Sequence, residues 1–204
     1  MEQFVRLKGL AAAIMRPNID TDVIIPSREI TSPSREGFGE KAFASWRYLE
    51  PGRRPNPDFV LNRAPFDRAE ILIAGDNFGC GSSREMAVWA LRQFGFRCVI
   101  APSFGAIFQA NCYRNGVLPV VLPAADVEAL GREAESSALK LMVDLETCTV
   151  SAPDGRIFRF QVAAPERAML LEGLDAIGLT LRRSDAIREF QESDRERRPW
   201  IYGG

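Results

Sequence analysis

The chain has 204 residues, 46% of them apolar and 26% charged, enough to bury a core as one domain or as one domain with a small appendage. Lysine and arginine total 26 against 27 acids, for a net charge of −1, so there is no electrostatic footprint for nucleic acid or an anionic membrane. No histidine occurs anywhere, which excludes a Ser-His or Cys-His dyad and a histidine metal site within the chain.

In chain order, FVRL at 4–7 and VII at 23–25 predict short strands, with RPNIDTD as a polar loop between them. LAAAIM at 10–15 is too short for a signal peptide and lacks a cleavage site, and no stretch approaches the ~20 apolar residues of a membrane span. The reading is a cytoplasmic chain. Residues 26–57 form a long excursion rich in Pro, Gly, Ser and Arg, carrying one helix around FASWRYL at 43–49. EILIA at 70–74 predicts a buried strand. An amphipathic helix follows, with Met86, Ala87, Trp89, Ala90, Leu91 and Phe94 on its stripe and Gly95 as its stop.

RCVIAP at 97–102 predicts a second buried strand, 103–116 a helix started by Ser103, and VLPVVL at 117–122 a third strand. An exposed helix at 125–136 comes next. The pattern then changes to alternating strands at 139–145, 147–152 and 156–162, the last two joined by the turn PDG. A helix at 165–173 and a charged C-terminal helix and tail at about 184–204 complete the chain. The middle therefore reads as a parallel strand–helix–strand–helix–strand unit flanked by β-hairpin additions, in a single domain over 1–204.

Between the 70–74 strand and its helix stands GDNFGCGSSRE, 75–85, at the kind of strand-to-helix turn where ligands of α/β units gather. Gly79 and Gly81 permit close approach to the main chain, and Ser82 with Glu85 fits a capping box. Arg84 at a helix N-terminus opposes the dipole, a placement better tolerated with an anion nearby. A plain structural turn and an anion site both satisfy this pattern. It is not a Walker loop, a dinucleotide fingerprint or a G-x-S-x-G elbow. The four cysteines, Cys80, Cys98, Cys112 and Cys148, are scattered without a C-x-x-C pair, which argues against a zinc site, an iron–sulfur site or a disulfide framework, and a nucleophilic Cys80 is the minor reading.

NIDTDVIIP (18–26), NPDFVLN (56–62), GDNFGCGSSRE (75–85), APSFGAIF (101–108), NCYRNGVLPV (111–120) and LLEGLDAIGLTL (170–181) occur in an order that resembles the small subunits of bacterial 3-isopropylmalate dehydratase, in the aconitase superfamily. The resemblance covers nearly the whole chain. It implies an aconitase-like swivelling β/β/α domain with a central, partly parallel sheet. It also implies a hydro-lyase of leucine biosynthesis that isomerises 2-isopropylmalate to 3-isopropylmalate and is active only with a large subunit. This chain binds no cofactor on that reading; a [4Fe-4S] cluster belongs to the partner. Ser82 is implied as the base, and Ser83, Arg84, Thr21, Asp22 and Arg28 as substrate-binding residues, with Asp20 a turn or orienting residue.

The sequence departs from the family pattern in three places. Met86 and Val88 stand where the family has histidine and proline, and Ser27-Arg28-Glu29-Ile30 replaces an aromatic followed by leucine. The loop EITSPSREG at 29–37 is also unusual. A paralogue acting on methylmalate, citraconate or homoaconitate is therefore the alternative substrate reading, and a non-catalytic assembly protein the alternative class. Glu29 is expected to point to solvent or to pair with Arg28 or Arg35 rather than face the substrate.

Overall fold

The structure is a computed structural model describing residues 1–31 and 34–202. Ser32 and Pro33, within the loop at 29–37, and Gly203 and Gly204 of the tail lie outside the described residues. The chain runs β1 (Arg6–Ile14), α1 (Thr21–Ile24), α2 (Ala44–Arg47), β2 (Tyr48–Leu49), β3 (Arg54–Pro55), β4 (Ile71–Ala74), α3 (Glu85–Phe94) and β5 (Cys98–Ala101). It continues with α4 (Ala106–Arg114), β6 (Leu118–Val121), α5 (Ala124–Ser136), β7 (Lys140–Asp144), β8 (Thr149–Ser151) and β9 (Ile157–Arg159). The last elements are α6 (Ala164–Glu172), α7 (Ala176–Leu181), α8 (Ser184–Arg197) and α9 (Pro199–Tyr202).

Seven strands make one mixed sheet in the order β6-β5-β4-β1-β7-β8-β9. Its centre is β1, which does two jobs along its length. Arg6 to Leu10 pair antiparallel with β7, and Ala11 to Ile14 pair parallel with β4. From β1 outward the sheet is parallel on one side through β4, β5 and β6, and an antiparallel meander on the other through β7, β8 and β9. The parallel strands carry unbroken apolar runs because both of their faces are covered. Ala12, Ile14, Leu72, Ala74, Val99 and Ala101 point into one core with α3 and the aromatic residues of the excursion. Their alternating neighbours Ala11, Ala13, Ile71, Ile73, Cys98 and Ile100 point into the other, against α5.

Five local expectations are corrected. The strand expected at 4–7 begins later, at Arg6, and runs longer, since β1 extends through the apolar segment as far as Ile14. The expected strand at 23–25 is helical instead. The Asp20 carboxylate accepts from the Val23 N–H at 2.8 Å and caps α1, and this cap outweighs the β-branched run Val23-Ile24-Ile25. Ser103 does not start α4, whose N-cap is Gly105; its hydroxyl donates to the Asp76 carboxylate. The helix α5 is not an exposed one, because Val127, Leu130, Gly131 and Ala134 are buried along its inner face.

Ser82 does not cap α3. The N-cap is Arg84, without a side-chain cap, and Glu85 is held by Asn115 Nδ2 at 2.9 Å instead of reaching back. Asn115 also accepts from Trp89 Nε1 at 2.9 Å, so it ties α3 to the end of α4. Met86 lies on the packed side of α3, half-buried against the core, which is the filler role its stripe position indicates.

Candidate active site

Parallel strands present their carboxyl ends on one edge, and three loops converge there. These are 15–20 after β1, 75–84 after β4 and 102–105 after β5. They are sewn together by main-chain hydrogen bonds that prolong the sheet beyond its regular strands. The Gly79 N–H donates to the Ile19 carbonyl at 2.7 Å and the Thr21 N–H to the Cys80 carbonyl at 3.0 Å. On the other flank, the Phe78 N–H donates to the Ser103 carbonyl at 3.1 Å. Side chains reinforce this seam. The Asn77 N–H donates to Ser103 Oγ at 2.9 Å, and Asn77 Nδ2 donates to Asn18 Oδ1 at 2.8 Å.

Gly79 is required here. Its φ is +72°, and a Cβ would enter the ring of Phe108. Gly79 therefore packs directly against the ring of Phe108, and the loop runs on to Ser82 and Ser83. Both serines are exposed. Beneath them Thr21 is 2% exposed, and its hydroxyl donates to the Ser82 carbonyl at 2.8 Å.

Arg84 leans over α1. One guanidinium nitrogen, Nη1, donates to the Asp22 carboxylate and to the Ile25 carbonyl at 3.3 Å. Asp22 also accepts from the Ser27 N–H at 3.1 Å and from Ser27 Oγ at 2.9 Å. Those bonds, Arg84 first and then Ser27, hold the Asp22 carboxyl below the ordinary carboxylate range. The anion that makes Arg84 tolerable at the start of α3 is thus supplied from inside the chain.

Arg28 stands apart from this cluster, on the short turn Ser27–Glu29, with Nη2 donating to Ser45 Oγ at 3.2 Å. Of the arrangements expected for Glu29, the pair with Arg28 is present and those with solvent and Arg35 are not, while its main partner is Arg53. Its carboxylate, 12% exposed, is held by Arg53 Nη1 at 2.8 and 2.9 Å, with Arg28 Nε further off at 3.9 Å. Arg35 stacks over Trp89 instead. Asp20 is the cap of α1, as a turn residue would be. Burial, assisted by the Asp20 carboxylate, pushes the Cys80 thiol up from its ordinary value, the wrong direction for a nucleophile.

The structure therefore brings together five of the six sequence candidates and leaves Arg28 at the rim. It adds Ser27, Asp76, Ser103, Asn18 and Asn77, which the sequence reading did not single out. Their signal lay in short polar residues beside the glycine turn, but their partners lie up to 59 positions away. A cleft of about 630 Å³ opens nearby between the end of β1, α2 and the segment at 56–63, and none of the six candidates lines it. Ser82 and Ser83 have no wall facing them within the described residues of this chain.

Comparison with known proteins places this chain in a family. Residues 1–125 match the model of the aconitase C-terminal domain and 128–164 match LeuD_N. Residues 177–204 match the C-terminal domain of the 3-isopropylmalate dehydratase small subunit. A protein of Cupriavidus necator named 3-isopropylmalate dehydratase small subunit is 53% identical over 99% of each chain. The chain belongs to the 3-isopropylmalate dehydratase small-subunit family. Relatives of the same name from Dechloromonas aromatica and Roseobacter denitrificans are 49% and 48% identical, covering 99% and 98% of this chain and 100% of each relative. The fold agrees with the crystal structure of 3-isopropylmalate dehydratase (leuD) from Methanocaldococcus jannaschii. That comparison gives a TM-score of 0.68 at 23% identity, over 90% of this chain and 99% of that one.

Proposed function

We propose that this chain is the small subunit of a heteromeric hydro-lyase that interconverts 2-isopropylmalate and 3-isopropylmalate by dehydration and rehydration, in cytoplasmic leucine biosynthesis. Residues 1–204 act as one swivel-type domain. The observation that carries the reading is the full-length family match combined with the meeting of two distant segments, Asp20 to Asp22 and Ser82 to Arg84, at one sheet edge.

The chemistry follows from what those groups are. Elimination from a malate-type diacid removes a proton from carbon next to a carboxylate and expels a hydroxyl from the neighbouring carbon. Ser82 is the proposed base. A serine hydroxyl is far too weak a base in water, so its alkoxide needs cations and main-chain N–H groups in a site closed to solvent. Arg84 lies two residues on, and Arg28 stands at the rim. Ser83 and the free edge of the Arg84 guanidinium are suited to one substrate carboxylate, and Arg28 to the other. Thr21 and Asp22 complete the proposed site.

The cysteines of this chain do not fit an iron–sulfur cluster. Cys98 and Cys112 are buried, Cys80 and Cys148 are half-buried, and no group of three or more metal-ligating side chains occurs among the described residues. The cluster, whose iron would take the departing hydroxyl, is proposed to belong to the large subunit, which also supplies the missing wall. No helix among the described residues is long and apolar enough to cross a membrane.

The reading is tested by combining the chain with its large subunit, supplying 2-isopropylmalate and following the ultraviolet absorbance of the alkene. Turnover that requires both chains supports it. A complex inactive on 2-isopropylmalate but active on methylmalate or homoaconitate would move the assignment to the paralogous reading.

A further inference from the structure

The family resemblance treats Thr21 and Asp22 as residues that touch substrate, and the structure gives them other work. The Thr21 hydroxyl is buried and already spent on the Ser82 carbonyl. Asp22 is an anion, and a carboxylate set directly against a dianionic substrate repels it. Among the described residues the Asp22 side chain accepts from Arg84, the Ser27 N–H and the Ser27 hydroxyl.

The Arg84 guanidinium is used asymmetrically. Nη1 is fixed between the Asp22 carboxylate and the Ile25 carbonyl, while no hydrogen bond to another described residue engages Nε or Nη2. A guanidinium is planar, so two bonds from Nη1 to two separate acceptors orient the opposite edge as well. The two remaining nitrogens form a fork suited to a single carboxylate. Ser27 matters because its N–H and hydroxyl donate to Asp22 Oδ1, the same oxygen that accepts from Arg84, and it lies in the same short turn that carries Arg28.

We infer that α1 is a template for the site: Asp22, held by Ser27, is a positioning residue that fixes Arg84 so that its free edge receives a substrate carboxylate, while Thr21 fixes the main chain of Ser82. Neither residue contacts the substrate. This rests on the hydro-lyase reading for the identity of the carboxylate, but the arrangement itself is measurable in the chain alone.

The test has two arms. In the isolated chain, NMR of the arginine side chains reads restricted rotation of the Arg84 guanidinium. Restriction is expected in the wild type and in Asp22→Asn, whose amide oxygen still accepts, and is expected to be lost in Asp22→Ala. In the complex with the large subunit, Asp22→Ala raises KM for 2-isopropylmalate by about tenfold or more and lowers kcat less, the mark of a misplaced binding group. Asp22→Asn restores KM to within about threefold of the wild type, because geometry rather than charge is what Asp22 supplies. In an Arg84→Lys background the further change to Ala at position 22 has no additional effect.

Equal damage from the Asn and Ala variants, or full additivity with Arg84→Lys, would overturn the inference and return Asp22 to substrate contact. Free rotation of Arg84 in the wild-type chain would overturn it as well. A wild-type complex without activity on 2-isopropylmalate, with Arg84 restricted as described, would instead count against the substrate assignment alone.

Discussion

At the scale of single residues, the site is organised by which charges already have partners. Asp22 sits with Arg84 and Ser27, and its folded-state pKa lies below the unfolded value, near 3.9 for aspartate. For a carboxyl depressed in this way, the stabilising contribution is fully present above the unfolded value and is lost as pH falls through the lower folded one. The clasp on Arg84 is therefore intact throughout the neutral range. An NMR titration of the Asp22 carboxyl should give a midpoint below about 3.9, returning toward that value in Arg84→Ala. Because Asp22 is 56% exposed, solvent screens the pair, and its role lies in geometry more than in stability. Glu29 makes the opposite point. Its carboxylate is neutralised by Arg53, so it does not place an unpaired charge against an alkyl substituent. Glu29→Leu should leave the ratio of kcat/KM for isopropylmalate over methylmalate within about threefold, where a true wall residue would shift it by about 1–3 kcal/mol.

At the scale of elements, what was legible in the sequence was whatever depends on near neighbours. The apolar runs of β4, β5 and β6 and the stripe of α3 announce themselves because periodicity and burial coincide. The segment at 23–25 misled because three β-branched residues outvote a cap that only the folded Asp20 reveals. Ser82 and Glu85 matched a capping box, but Asn115, thirty positions on, competes for Glu85 and wins. GSSRE stood out in the sequence as a polar glycine turn, and DTD drew notice only through the family resemblance. That Thr21 lies under Ser82 and Asp22 beside Arg84 was not legible, since those contacts span 61 and 62 positions and are created by the parallel pairing of β1 with β4. The element that transmits this pairing to the loop is the Gly79 turn. Gly79→Ala combines a positive φ with a methyl group driven into Phe108, so it should destabilise the chain by about 2–4 kcal/mol. Chemical denaturation of the variant against the wild type measures this directly, and a change near zero would mean that the loop does not rest on Phe108.

At the scale of the whole molecule, the proposed reading makes this chain half of a site. The loops that carry Ser82, Ser83 and Arg84 are firmly seated on the sheet below, yet the serines are exposed. A base as weak as serine in water gains its power only when the other half closes over it. On the proposed reading that closure, and the iron chemistry with it, falls to the large subunit, and proton abstraction falls to this chain. The most direct test is the rate at which the assembled complex dehydrates 2-isopropylmalate with Ser82→Ala in place of the wild-type small subunit, with assembly checked by gel filtration and the fold by circular dichroism. The expected result is an assembled, folded complex whose kcat falls by about 10²–10⁴-fold. A complex of that kind retaining activity within about tenfold of the wild type would contradict it, because the base would then lie outside this chain or at another of its residues.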